Sequence, residues 1–412
     1  MTAIREDGGE GRAQFSEPDD TNPHRSALPI ISVGQQVFIR TAASFRQGAR
    51  TLRREYFTSR DIFVTEQEAI FGRLWSCVGR ANRLAGPGNY LVRTVADESI
   101  IVVRGRDDVI RAFFNVCRHR GTRLCTGETG RFDDVIQCPY HAWTYAIEGH
   151  LLGAPHMHDV DGFDKDDYPL HTAAVAEADG FVFVNVARTR ESFADWFAPM
   201  AARLDRFDLG ALRIAHGVTY DVRANWKLVF QNYSECLHCP VIHPELTSRV
   251  PYQSSANDLA EGPFLGGYME IAPGHESVTT SGRACAPPIS TRMNDDDRRR
   301  AYYYAVMPNL LLSVHPDYVN YYLLTPLGVD RTRVESEWLV NADGTNPSAI
   351  RSDDAVSFWD LVNRQDWQIV EQSQLGISSR RYEPGPYSPR ESMSAAWDRE
   401  YLRLMNDGRE CL

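Results

Sequence analysis

The 412-residue chain has no apolar run approaching the length of a membrane span, and its first residues, MTAIREDGGEGRAQFSEPDD, contain no apolar core of the kind a secretory signal needs. Both absences predict a cytoplasmic protein without a membrane partner. No Lys/Arg block offsets the 55 acidic residues, and a formal net charge of -11 argues against a nucleic-acid partner. Cysteine is sparse. Eight in so long a chain do not make a disulfide framework, and in a reducing compartment clustered Cys and His more often bind metal. Cys77, Cys125, Cys285 and Cys411 have no His at ligand spacing and read as packing or surface thiols. What is present is ordinary globular material, 43% hydrophobic and 24% charged, enough for about two or three domains.

Residues 1–45 read as a disordered tail, because Met1 to about Val33 mixes Gly, Asp, Glu, Pro and Ser with too little apolar area to offset ordering entropy. Residues 46–75 read as a helical lead-in. Phe45 to Tyr56 is basic and helix-compatible, and Thr65 to Trp75 opens like an N-cap with Glu68 three residues later. Short runs rich in Val, Ile, Tyr and Phe follow at Tyr90–Val95, Ile100–Arg104, Ile110–Val116 and Gly180–Val186, which predicts an antiparallel β-domain over residues 76–190. Residues 191–412 form a second domain. Its strands are expected at Tyr220–Val222, Tyr302–Val306, Leu310–His315, Tyr318–Thr325 and Thr332–Leu339, with a helix at Ser357–Leu375.

Two constellations carry chemistry. The stretch Trp226 to Pro244, WKLVFQNYSECLHCPVIHP, holds Glu235, His238 and His243. On a helix Glu235 and His238 would share one face, and Pro240 would let the chain turn so that His243 points back. Two imidazoles with one further carboxylate make a facial triad that leaves positions open on ferrous iron, although a helix with satisfied histidines fits the stretch equally well. Upstream, Cys117 and His119 in CRHRG are followed by Cys138 and His141 in CPYHAWTY. Cys-x-His then Cys-x-x-His is the pattern in which two thiolates hold one iron of a 2Fe-2S cluster and two imidazoles the other. A tetrahedral zinc site with the same four ligands is the competing reading. Gly121, Pro139 and Gly149 suit tight loops around such a centre, and Arg118 and Arg120 read equally as surface charges.

With both motifs in this order, the chain resembles the large (α) subunits of Rieske non-heme iron oxygenases from about Leu52 to Tyr382. The resemblance implies an α+β architecture, a β-rich Rieske domain followed by a helix-grip catalytic domain in which a curved antiparallel sheet surrounds a long helix. It implies a third iron ligand at Asp366, with Asp353, Asp354 and Asp360 as competitors read as helix N-terminal charges. It also implies a trimer in which electrons cross a subunit boundary, with Glu235 bridging a Rieske histidine, His141, and the iron ligand His238. Many family members have Asp at that bridge.

No flavin or dinucleotide fingerprint is evident, so NAD(P)H electrons are expected through a separate flavin/iron-sulfur reductase. Glu at the bridge, followed by CLHCPVIHPEL, resembles the subgroup acting on choline, carnitine and glycine betaine. A quaternary ammonium needs an aromatic cage, for which Tyr302, Tyr303, Tyr304, Tyr318, Tyr321 and Tyr322 are candidates, although alternating tyrosines are also ordinary sheet packing. An aromatic or natural-product substrate, and a non-catalytic Rieske electron carrier, are the alternatives. The presence of Asp366, His238 and His243 together favours the oxygenase.

Overall fold

The computed structural model describes residues 37–187, 191–342 and 351–407. Of the tail expected to be disordered, residues 1–45, the first 36 and also Cys411 lie outside them, whereas Ile39–Arg40 is a strand and Thr41–Ser44 a 3-10 turn, because Ile39–Arg40 pairs with Ala256–Asn257. The lead-in differs from expectation. Phe45 to Arg53 forms no helix; a single turn at Glu55–Thr58 is followed by a helix at Arg60–Glu66 that runs into a wider turn at Gln67–Phe71. Its cap is Ser59, extended at φ -86° and ψ 126°, whose side chain accepts from the Ile62 amide. Thr65 lies inside this helix, its hydroxyl donating to the Asp61 carbonyl at 3.0 Å. An earlier residue able to cap, with Asp61 in the first turn, therefore sets the start.

The β-rich first part contains a seven-stranded sheet in the spatial order Ser76–Arg80, Phe181–Asn185, Thr172–Ala178, Ile110–Phe114, Glu98–Arg104, Asn89–Val95 and Thr129–Arg131. Ile100, Ile101, Val102 and Val103 are all fully buried, so this strand is covered on both faces and reads as a continuous apolar run. A three-stranded sheet of Val135–Gln137, Thr144–Ala146 and Leu151–Gly153 carries the second cluster loop.

The second part is an eight-stranded antiparallel sheet with a long helix, Ser352–Ile377, packed on Arg213–Val222 and Arg331–Val340 and on the helix Trp226–Tyr233. The sheet order is Ile39–Arg40, Ala256–Leu259, Phe264–Glu270, Arg300–Val306, Leu310–Val314, Tyr318–Gly328, Arg331–Val340 and Arg213–Val222. The first three of these were not legible. In Phe264–Glu270 the glycines at 266 and 267 break the β-branched pattern, and both are required by close approach. A Cβ on Gly266, at φ +142°, would stand 2.0 Å from the Tyr303 carbonyl oxygen, and one on Gly267 2.1 Å from that of Ala256.

One buried charge network ties the lead-in to this part. Lys227, one of only two lysines in the chain with Lys165, is fully buried and paired with Glu66. Glu66 also accepts from Trp226 Nε1 at 2.8 Å and from the Tyr401 hydroxyl at 2.6 Å. Burial pulls the Lys227 ammonium down from its usual range, and the Glu66 carboxylate opposes that pull. Lys227→Met should therefore cost about 3 to 5 kcal/mol, because it strands a buried carboxylate. The measurement is the denaturation midpoint. The double variant with Glu66→Gln is expected to recover part of the loss.

Candidate active site

The local geometry around residues 235–243 departs from a helix. The helix Trp226–Tyr233 ends before Glu235, and two short helices follow at Cys239–Ile242 and Pro244–Arg249. Pro240 sits in the first turn of the former rather than at the bend, which falls at His243 (φ -130°, ψ 68°). Glu235 still reaches His238, by a local turn. Its Oε1 lies 2.6 Å from His238 Nδ1, while its other oxygen accepts from the Leu237 amide. Cys236 and Cys239 are joined by a disulfide that flanks His238. That is the one departure from the expectation of unpaired thiols among the described residues; Cys77, Cys125 and Cys285 are free and buried.

His238, His243 and Asp366 come together, with one potential ligand atom from each lying within 4.8 Å of the others. His243 donates from Nδ1 to the Gln365 side-chain oxygen at 2.7 Å, as His238 does to Glu235. Those bonds leave both Nε2 atoms facing one Asp366 oxygen, at 2.9 Å from His243 and 3.3 Å from His238. His243 is completely buried. Burial works against charge on His238, but hydrogen bonds to Asp366 and Glu235 outweigh it and push the imidazole up to about 10. Burial would raise the Asp366 carboxyl, yet the two histidines hold it below its usual range. The site therefore attracts positive charge, and two imidazoles with a carboxylate are the donor set of ferrous iron.

The competing aspartates are engaged elsewhere. Asp353 and Asp354 stand in the first turn of the long helix, as expected. Asp360 does not; it accepts from the Tyr220 hydroxyl at 2.8 Å and from Arg364 at 2.8 Å in the helix interior.

The upstream four residues sit on two tight loops. The Gly121 amide donates to the Cys117 carbonyl (3.0 Å) and the Ala142 amide to that of Cys138 (3.1 Å), closing one turn each. Gly121 (φ +73°) and Ala142 (φ +54°) take the left-handed conformation those turns need. Cys117 and Cys138 are buried, His119 is exposed and His141 half-buried, with the two imidazole centroids 4.8 Å apart. Burial pushes the Cys117 thiol up, and the hydrogen bond with the Tyr145 hydroxyl at 3.3 Å opposes it. Burial and the neighbouring His141 and Arg120 lower His119, favouring a neutral ligand. A zinc ion would draw all four donor atoms to one point, at about 2.0 to 2.3 Å from the metal. Two thiols and two imidazoles on paired loops are also the donor set of a 2Fe-2S centre, one pair to each iron.

A cleft of about 1070 Å³, its opening included, reaches the triad and is lined by Tyr233, Tyr303, Tyr322, Trp359 and Asn363. Strand alternation decides which tyrosines take part. Tyr302, Tyr304 and Tyr321 pack in a separate core on the other sheet face. Tyr318 is buried behind Trp359, whose Nε1 donates to its hydroxyl at 2.6 Å. Of the six expected tyrosines only Tyr303 and Tyr322 line the cleft. Tyr233, Trp359, Gln365 and Asn232, which lines the cleft with its Nδ2 3.5 Å from His238 Nε2, were missed. The signal for Trp359 was available, since Trp359, Val362, Asn363 and Asp366 recur at helical spacing on one face.

Comparisons with known proteins converge on one family. Residues 74–164 match the Rieske [2Fe-2S] domain, and residues 209–407 match the catalytic domain of the ring hydroxylating alpha subunit. The chain is similar to the glycine betaine monooxygenase oxygenase subunit of Chromohalobacter salexigens, 32% identical over 378 residues and covering 83% of each. It is 39% identical over 204 residues, 49% of this chain and 55% of the relative, to the carnitine monooxygenase oxygenase subunit of Acinetobacter pittii. Among solved structures, the quaternary ammonium Rieske monooxygenase CntA in complex with L-carnitine superposes with a TM-score of 0.72 at 26% identity, over 86% of this chain and 95% of that one.

Proposed function

Because the chain belongs to the Rieske non-heme iron oxygenases, we propose that it oxidises a small quaternary ammonium compound at a carbon bound to nitrogen. The observation that carries this reading is the His238, His243 and Asp366 triad opening onto a cleft walled by Tyr233, Tyr303, Tyr322 and Trp359. A quaternary nitrogen has no N–H to donate, so ring faces hold it at about 0.5 to 2 kcal/mol each. The ring centroids of Tyr233 and Tyr303 lie 6.3 Å apart, those of Tyr233 and Tyr322 6.1 Å, and those of Tyr303 and Trp359 6.4 Å. Their polar ends are largely occupied: Tyr322 donates to Asn363 at 3.0 Å and Tyr233 bonds Ser313 at 2.9 Å. Burial keeps the Tyr233, Tyr303 and Tyr322 phenols neutral.

In this reading His238, His243 and Asp366 hold the mononuclear Fe(II), and Cys117, His119, Cys138 and His141 hold the 2Fe-2S cluster. When bound, the two centres supply dioxygen activation with electrons that a separate flavin/iron-sulfur reductase delivers from NAD(P)H. The net change is C–H plus O2, two electrons and two protons to C–OH plus water. A hydroxylated N-methyl group then releases formaldehyde and a proton, leaving the tertiary amine.

Glu235 keeps His238 in one tautomer and, being 14% exposed, is open to a second imidazole, His141 of the partner subunit, in a homotrimer. Exposed apolar residues flank both ends of that bridge: Tyr140 (55%) beside His141, and Leu237 (38%) and Val241 (82%) beside His238. Among the described residues no helix is long and apolar enough to cross a membrane. The test is oxygen uptake by the reductase-coupled protein with glycine betaine, carnitine, choline and a panel of aromatic compounds. Uptake coupled to a quaternary compound is expected. Coupled uptake with aromatic compounds alone overturns the substrate reading in favour of ring hydroxylation.

A further inference from the structure

We infer that Arg390 binds the carboxylate of the substrate, so that the cleft selects zwitterions carrying a quaternary nitrogen and a carboxylate over cations of the same size. The inference rests on the quaternary ammonium reading above and adds the second recognition group. Among the described residues Arg390 is the only Lys or Arg lining the cleft, and Glu235 and Asp366 are its only acidic residues. It makes no ion pair within 4.0 Å among the described residues, with those two acids or any other. The cleft thus carries negative groups at the metal triad, Asp366 within it and Glu235 on His238, and one positive group that pairs with neither, a polarity that suits a betaine whose nitrogen lies nearer the iron.

The guanidinium is placed rather than left free. Arg390 is half-buried on a single turn, Pro389–Glu391, that is closed reciprocally at its start. The Arg390 amide donates to Ser388 Oγ at 3.3 Å and the Ser388 amide to Glu391 Oε2 at 2.8 Å. Glu391 is therefore spent on the cap rather than on its neighbour. The guanidinium carbon stands 5.8 Å from the Tyr252 ring centroid, at the outer limit of cation–π contact. The polar groups nearby satisfy one another: Thr41 donates to Ser255 Oγ at 2.8 Å, and Asn257 donates to the Thr41 hydroxyl at 2.9 Å. A planar fork with five donors and no carboxylate partner, in a cleft otherwise short of cations, matches a carboxylate bidentately.

The test compares glycine betaine with its methyl ester and with choline in wild-type holoenzyme, Arg390→Gln and Arg390→Lys. In the wild type, KM for glycine betaine is expected to be about 10- to 100-fold below those of the ester and choline, the range for a hydrogen-bonded charge pair. Arg390→Gln should raise KM for glycine betaine by a similar factor, with kcat and the visible spectrum of the cluster retained and the ester and choline nearly unaffected. Arg390→Lys should fall between. Equal KM for acid and ester in the wild type, or equal losses for all three compounds in Arg390→Gln, would overturn the assignment while leaving the quaternary ammonium reading intact. Equal KM in the wild type overturns the assignment even if Arg390→Gln does not fold, and Arg390→Lys then reports whether Arg390 itself carries the preference. Failure of every quaternary compound in the wild type would remove both readings.

Discussion

Replacing Asp366 by Ala should reduce oxygenation by more than about 10³-fold while the cluster persists, because the facial ligand set loses its only anionic member. His238 and His243 would keep their orienting bonds to Glu235 and Gln365, so the imidazoles remain in place without the carboxylate that gathers them. Iron should fall from about three to about two per chain, the two that remain being those of the 2Fe-2S centre. Metal analysis, the visible spectrum and oxygen uptake report the three parts separately. An Asp366→Ala protein with full iron and wild-type turnover would show that another group completes the site.

Glu235→Gln should leave both metal centres loaded and slow turnover by about 10- to 100-fold, the usual cost of losing a partner that orients a metal ligand. The amide keeps the size but removes the charge that His238 Nδ1 meets at 2.6 Å, and its NH2 group can be presented to the imidazole instead of an acceptor. Reduction of the cluster by the reductase should proceed as in wild type, with the delay appearing only when substrate is oxidised. Normal turnover in this variant would confine Glu235 to a local structural role.

The residues proposed as ligands could be picked out because their chemistry is written in residue type and short spacing, CRH with CPYH and His238 with His243, whereas Asp366 followed only from the resemblance. The β-strands from Tyr302 to Leu339 were also legible, since runs of branched and aromatic residues recur there between the turns Pro308-Asn309, Pro316-Asp317 and Val329-Asp330. Less could be read where tertiary contact overrides local pattern. Thr65 looks like a cap, but Ser59 is the residue in an extended conformation, so the helix begins at Arg60. Gly266 and Gly267 interrupt the β-branched pattern of their strand and are required there by neighbouring backbone. Tyr302, Tyr303 and Tyr304 are indistinguishable in sequence, and only register places the middle one in the cleft. Arg390 lies 24 residues beyond Asp366 on a separate turn, and no local signal connects it with the site.

The most direct test of the central claim is one turnover of fully reduced protein with dioxygen and an N-methyl-labelled quaternary carboxylate such as glycine betaine. Labelled formaldehyde and the demethylated amine are expected in equal amounts, and neither from Asp366→Ala. Recovery of unchanged betaine from wild-type protein whose cluster and mononuclear iron are both loaded, while an aromatic compound is hydroxylated under the same conditions, would contradict that claim.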